Sequence, residues 1–164
     1  MPSSIYDFSV RTIDGSARSL GDYRGRALLI VNVASECGLT PQYRGLEQLH
    51  EEYGARGLSV LGFPANEFGA QEPGTDEQIK AFCTTRYGVK FDMFAKVSVK
   101  GPGIDPLFRF LTEEATNPRF CGDIRWNFNK FLVGRNGEVL ARFEPQVDPA
   151  SADVKSAVEK ALGS

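Results

Sequence analysis

Residues 27–43 read ALLIVNVASECGLTPQY, and the rest of the chain is built around this stretch. Ala27 to Val33 is a seven-residue apolar run rich in branched side chains, which predicts a strand covered on both faces. Pro41 suits the first position of a helix and Thr40 its N-cap. A helix is therefore expected from about Pro41 to Tyr53, with Tyr43, Leu46, Leu49 and Tyr53 on one face and Gly54 and Gly57 at its end. Cys37 falls in the short connection between strand and helix, with no second cysteine nearby. Unpaired backbone N–H groups and the positive end of a helix dipole there favour a thiolate, the reactive form of the thiol.

Working outward, Leu58 to Phe63 reads as a second strand, and a helix between two adjacent apolar strands implies a right-handed parallel crossover. Cys37 then lies at the carboxyl end of a strand, where open α/β sheets build their sites. Upstream, Phe8-Ser9-Val10 and Ala17 to Leu20 flank the turn dipeptide Asp14-Gly15 and predict a hairpin. Downstream, FPANEFGAQEPGT is a long loop of the kind that carries function. Thr75 and Gln78 form a capping box for a second helix from Asp76, with Ile79, Phe82, Cys83 and Tyr87 on one face and Gly88 at its end. Phe91 to Val99 predicts a short strand and Pro106 to Leu111 a short helix. Phe128 to Val133 and Glu138 to Phe143, joined through Asn136-Gly137, predict an antiparallel hairpin, and Ser151 to Leu162 a closing helix.

The expected fold class is α/β: a thioredoxin-like fold with an N-terminal β-hairpin and a central mixed sheet flanked by helices, spanning residues 1–164 as one domain. In thioredoxin the reactive cysteine opens a helix as C-x-x-C. Here the tetrad is Cys37-Gly38-Leu39-Thr40, with a hydroxyl in place of the second sulfur, so any resolving thiol must come from elsewhere in the chain.

A chain of 164 residues is long enough to bury roughly 70% of its unfolded surface without staples. The 19 basic and 21 acidic residues are scattered, and their formal net charge of −2 offers no basic block for nucleic acid or an anionic membrane. The N-terminal MPSSIYDFSV lacks the apolar core of a signal peptide, and no run approaches the length of a membrane helix. A soluble cytoplasmic protein is expected. Cys37, Cys83 and Cys121 leave one thiol over in any disulfide scheme, so the cysteines read as buried apolar residues or as redox chemistry. With a single histidine, His50, and no clustered Cys and His, neither a metal nor another cofactor is expected.

The chain resembles the glutathione peroxidases, in the form that uses cysteine in place of selenocysteine. The resemblance rests on four blocks in order: NVASECGLT at 32–40, LGFPANEFGAQEPGT at 61–75, FCTTRYGVKFDMF at 82–94 and WNFNKFLVGRNG at 126–137. It implies that Cys37 is the peroxidatic nucleophile and that Gln71, Trp126 and Asn127 complete a catalytic tetrad. The side chains suit the task, because amide and indole N–H groups are neutral donors that favour a thiolate, orient a peroxide and do not compete as nucleophiles. Cys83 matches the resolving cysteine of members recycled by thioredoxin, which implies a transient Cys37–Cys83 disulfide formed after the Cys37 sulfenic acid. Because Cys83 lies on the apolar face of its helix, bonding to Cys37 is expected to require local unwinding.

Two departures from the family pattern carry weight. Many members have a cysteine where Ala65 stands, which leaves Cys83 as the resolver, whereas Cys121 matches no family cysteine. The segment from Thr112 to Ile124 is short, where tetrameric members hold an insertion used for assembly, so a monomer is implied. No arginine-rich glutathione site is recognisable. The implied substrates are hydrogen peroxide and organic hydroperoxides, and the implied reductant is thioredoxin or a related dithiol protein, with glutathione the alternative. A second reading is a peroxide sensor that passes its disulfide to a partner, and a third is a scaffold without redox chemistry. Glu67, a substitution in the loop, is expected to point to solvent. Lys96, Lys100, Lys130 and Arg135 read either as surface charges or as docking points for an acidic reductant.

Overall fold

The computed structural model describes residues 4–163. Residues 1–3 and 164, part of the N-terminal reading and of the expected 1–164 domain, lie outside them. A hairpin of β1 (Ser9–Arg11) and β2 (Ala17–Ser19) precedes the central sheet. That sheet is formed by β3 (Ala27–Val33), β4 (Leu58–Pro64), β5 (Asp92–Met93), β6 (Lys130–Val133) and β7 (Val139–Phe143), in the order β5-β4-β3-β6-β7. β3 and β4 are parallel with Ala27 opposite Leu58 and Val33 opposite Pro64, and β5 adds to β4 in the same sense. β6 and β7 run antiparallel, with Lys130 opposite Val31. Helices α1 (Tyr43–Tyr53), α2 (Asp76–Tyr87), α3 (Pro106–Thr112) and α4 (Ala152–Ala161) complete the mixed thioredoxin-like arrangement.

The period-2 alternation of a strand divides β3 between two apolar layers. Ala27, Leu29, Val31 and Val33 pack with Tyr43, Leu46, Leu49 and Tyr53 of α1 and with Val154 and Val158 of α4. Leu28 and Ile30 pack on the other face with Leu107, Phe108 and Leu111 of α3 and with Leu20 and Phe63. Burial on both faces is what the uninterrupted run demanded, and it makes β3 the rigid floor from which the Cys37 loop springs. α2 is held differently: Ile79 and Cys83 are its two buried residues, so its attachment rests on little apolar area. Among the described residues no helix is long and apolar enough to cross a membrane.

Three expectations change. Thr40 does not cap an α-helix: residues Thr40–Gln42 form a 3-10 turn, α1 starts at Tyr43, and the Thr40 hydroxyl is engaged inside the Cys37 loop. The predicted strand over Phe91 to Val99 contracts to Asp92–Met93. Beyond it the backbone divides its hydrogen bonds, Phe94 N donating to Gly62 O, Ala95 N to Arg11 O and Val97 N to Pro64 O, so the segment serves sheet and hairpin in turn and loses regular pairing. Lys130 is neither a surface charge nor a docking point. It is fully buried, and its Nζ donates to Pro145 O at 3.0 Å, the carbonyl that also accepts from Gln42 Nε2 at 2.7 Å. Burial pushes its pKa down to about 7. Arg135, by contrast, is exposed as one of its two readings had it, and its guanidinium donates to the carbonyls of Leu162, Gly25 and Arg56.

Candidate active site

The loop after β3 is closed by Thr40. Its hydroxyl accepts from Cys37 N at 2.9 Å and donates to Ala34 O at 2.7 Å, while Thr40 N donates to Cys37 O at 3.0 Å. The loop thereby folds back on itself and turns the backbone N–H of Leu39 toward the sulfur, where it donates to Cys37 Sγ at 3.3 Å. Cys37 is 8% exposed, so the thiol is shielded and still reachable by a small oxidant.

Gln71 arrives from the long loop after β4. Its backbone carbonyl accepts from Glu36 N at 3.0 Å, fixing it beside the Cys37 loop, and its Oε1 accepts from Asn127 Nδ2 at 3.0 Å. The Gln71 amide NH2 is left as the donor. Asn127 is fully buried and reaches this position because Asn32, near the end of β3, brackets its segment: Asn32 Nδ2 donates to Trp126 O at 3.1 Å and Phe128 N donates to Asn32 O at 2.6 Å. Trp126 packs against Phe68 with ring centroids 5.8 Å apart. The structure therefore brings Gln71 and Asn127 together from two separate segments, with Trp126 next to Asn127 in the chain, and ties Gln71 to the backbone of the Cys37 loop. Among the described residues the hydrogen bond to the sulfur itself comes from Leu39 N.

Backbone strain clusters here. Ala70 (φ 51°) and Phe128 (φ 69°) are the two non-glycine residues in the left-handed region among those described, and each adjoins a site residue. Such conformations cost about 1–2 kcal/mol apiece and persist only where packing enforces them. Gly69 has no such latitude for a side chain. At φ 69° its Cβ would stand 3.1 Å from the Trp126 ring and 3.3 Å from Gln71 Nε2. Gly69→Ala is expected to cost about 1–2 kcal/mol and to slow peroxide consumption by displacing both side chains. Chemical denaturation beside initial rates checks this, and wild-type values for both would refute the crowding argument.

Cys83 is 1% exposed on α2 and shares an apolar cluster with Cys37. All three cysteines are free thiols. Burial pushes the Cys83 thiol up to about 11; the Tyr43 hydroxyl opposes that shift and Glu72 adds to it. Burial thus favours the protonated thiol of Cys83 while α2 stays folded. Cys121 is half-buried, and its thiol makes a long contact, 3.7 Å, to Pro118 O. Glu67 is exposed as expected, with Oε1 accepting from Val99 N at 3.0 Å. Among the described residues no group of three or more His, Cys, Asp or Glu is placed to hold a metal.

Sequence reasoning overlooked Asn32 and Glu72. Asn32 is a single amide inside an otherwise apolar strand, a signal that was available. Glu72 directly follows Gln71 and is fully buried. Its Oε1 accepts from Ser35 N at 3.1 Å, its own N–H donates to Asn66 Oδ1 at 2.8 Å, and its carbonyl accepts from Lys96 Nζ at 2.9 Å. Burial raises its pKa to about 7. Nothing in the run QEP distinguishes it from a solvated loop carboxylate.

Comparison with known proteins places the chain in context. The glutathione peroxidase family profile matches residues 5–112. The chain is 50% identical to the hydroperoxy fatty acid reductase gpx1 of Synechocystis sp., covering 98% of this chain and 96% of that protein. It is 44% identical to the thioredoxin/glutathione peroxidase BtuE of Escherichia coli, covering 99% of each. Among solved structures, the Trypanosoma cruzi protein named T. cruzi GPX1 superimposes with a TM-score of 0.76 at 36% identity, over 98% of this chain and 97% of that one. A thioredoxin-family thiol:disulfide interchange protein from Chlorobium tepidum, at 21% identity and a TM-score of 0.71 over 99% and 98% of the chains, shares the fold.

Proposed function

This chain belongs to the glutathione peroxidase family, and from that premise we propose that it is a thiol peroxidase, residues 1–164 forming one domain, which reduces hydrogen peroxide and organic hydroperoxides through Cys37. The observation that carries the reading is the Cys37 loop at the end of β3, pinned through Glu36 to the Gln71 that Asn127 holds in place. The Cys37 thiolate attacks one peroxide oxygen, the O–O bond breaks, and the second oxygen leaves as water or alcohol once protonated. Gln71, Asn127 and the Trp126 indole supply neutral donors around the charge that develops. Hydroperoxides of fatty acids fall within the substrate class, as the name of the Synechocystis relative suggests.

Attack leaves Cys37 as a sulfenic acid, and Cys83 condenses with it to a disulfide that a dithiol reductant then opens. The weak attachment of α2 supports this assignment, since Cys83 reaches Cys37 only when its helix yields. Thioredoxin or a related dithiol protein is the reductant, in the reducing setting of the cytoplasm, and the working unit is a monomer. The BtuE relative's name pairs thioredoxin with glutathione, so both belong in the test. In a coupled assay Cys83→Ser is expected to lose thioredoxin-supported turnover on the order of 10²-fold while still consuming one equivalent of peroxide in a single turnover. Fast glutathione-supported turnover of Cys83→Ser would defeat the two-cysteine cycle, and a stable mixed disulfide with one particular protein in place of steady turnover would favour the sensor reading.

A further inference from the structure

We propose that Glu72 is the proton acceptor for Cys83 in the resolving step and returns that proton to the hydroxyl leaving Cys37. The proposal deepens the two-cysteine cycle above and rests on it. Glu72 is fully buried, and while its Oε1 is occupied by Ser35 N, its Oε2 has no hydrogen-bond partner among the described residues. A buried carboxyl oxygen without a partner is costly unless it has work to do or a proton to hold. Glu72 also lies on the wall of a surface cavity of about 250 Å³. One side of that cavity is the Cys37 loop, through Ser35 and Glu36, and the other is α2, through Gln78, Ile79 and Phe82. The cavity thus lies between the Cys37 loop and α2, the helix that carries Cys83.

Charged and titratable groups act on this carboxyl from each side. Lys96 favours its charged form and Glu36 opposes it, while the thiol of Cys83 on α2 and the hydroxyl of Tyr43 on α1 both sense its charge. With desolvation dominant, the group changes charge near pH 7. A carboxylate titrating there can take a proton and give it back, as acid–base catalysis requires.

The S–H bond of Cys83 breaks and its proton passes to the Glu72 carboxylate. The Cys83 thiolate attacks the sulfur of the Cys37 sulfenic acid, an S–S bond forms and the S–O bond breaks. The departing hydroxide takes the proton from Glu72 and leaves as water. The sulfenic sulfur is reduced, the Cys83 sulfur is oxidised, and the carboxylate is regenerated.

The test separates the two halves of the cycle in a single turnover with hydrogen peroxide. Sulfenic acid is trapped with dimedone to time the oxidation of Cys37, and non-reducing peptide mapping times the appearance of the Cys37–Cys83 disulfide. In wild type, disulfide formation is expected to accelerate between about pH 6 and 8 as Glu72 ionises. In Glu72→Gln the ratio of resolution rate to oxidation rate should fall on the order of 10²-fold and the acceleration across that range should vanish. Glu72→Asp should restore the pH step in part. Equal slowing of both phases, or a Glu72→Gln protein that keeps the wild-type pH step, would overturn the proposal and leave Glu72 as an anchor for Ser35. Should Glu72→Gln fail to fold, infrared spectra of the wild-type protein decide the matter, since they must show a buried carboxyl deprotonating over the range in which resolution accelerates, and silence there overturns the proposal. If wild type forms no Cys37–Cys83 disulfide at all, the two-cysteine cycle itself is at fault.

Discussion

Cys37→Ser protein is expected to consume hydroperoxide no faster than background, a loss on the order of 10³-fold or more. A serine hydroxyl is scarcely ionised at neutral pH, and an alkoxide gains nothing comparable from the single N–H that Leu39 aims at position 37. The variant should fold normally. Serine matches cysteine closely in size, Leu39 N still finds an acceptor, and the Cys37 backbone bonds to Thr40 do not involve the sulfur. Peroxide loss measured beside a circular dichroism melt therefore separates chemistry from stability. Residual activity within tenfold of wild type would mean that the nucleophile lies elsewhere, and the thiols of Cys83 and Cys121 would then need to be removed in turn.

Loss of Arg142 should have a large effect on stability, beyond that expected of Gly69→Ala. Arg142 stands on β7 with its side chain 10% exposed. Its guanidinium donates to the carbonyls of Phe120, Cys121, Gly122 and Asp123 at 2.9–3.1 Å, and its Nε donates to Asn129 Oδ1 at 3.1 Å. It also lies over the Phe131 ring at 4.8 Å. Four successive carbonyls are thus gathered by one planar fork, just upstream of Trp126 and Asn127. Arg142→Ala should cost about 3 kcal/mol, since charge-assisted bonds are lost and part of the carbonyl set stays dry. For a chain of this size that corresponds to a Tm lower by roughly 6–12 °C. Lysine should not rescue it, because one ammonium cannot span the set. Peroxide consumption should also fall, as the segment carrying Trp126 and Asn127 loses its anchor. A variant with wild-type stability and rate would show that this segment is held by Asn32 alone.

The legible and illegible parts of the site divide by range of interaction. Cys37 could be found because its position follows from local signals, an apolar run before it and Pro41 after it. The α2 boundary could be found because the Thr75–Gln78 capping box is made within four residues. Thr40 departs from the expected cap because its hydroxyl has two local uses, capping a helix or closing the loop, and the packing of that loop selects the second. Lys130 and Arg142 look like ordinary strand charges by composition. Their roles arise from carbonyls that sheet pairing and loop folding bring to them, and no pattern along the chain encodes those carbonyls. Glu67 and Glu72 illustrate the same limit, for they share one loop, yet one faces solvent and the other is sealed beneath Ser35.

By itself the sequence determined the βαβ crossover, the hairpins, the lone cysteine at a strand-to-helix junction and the family to which the chain belongs, because periodicity and turn chemistry act between near neighbours and motifs preserve their spacing. Tertiary structure alone decided which side chains meet. The Gln71–Asn127 hydrogen bond joins residues 56 apart, and the burial of Cys83, Glu72 and Lys130 depends on which face of the sheet each helix and loop covers. Contacts of that kind follow from the order β5-β4-β3-β6-β7, in which β3 takes one neighbour from each half of the chain and so brings the Cys37 loop, the Gln71 loop and the Trp126–Asn127 segment to the same edge of the fold.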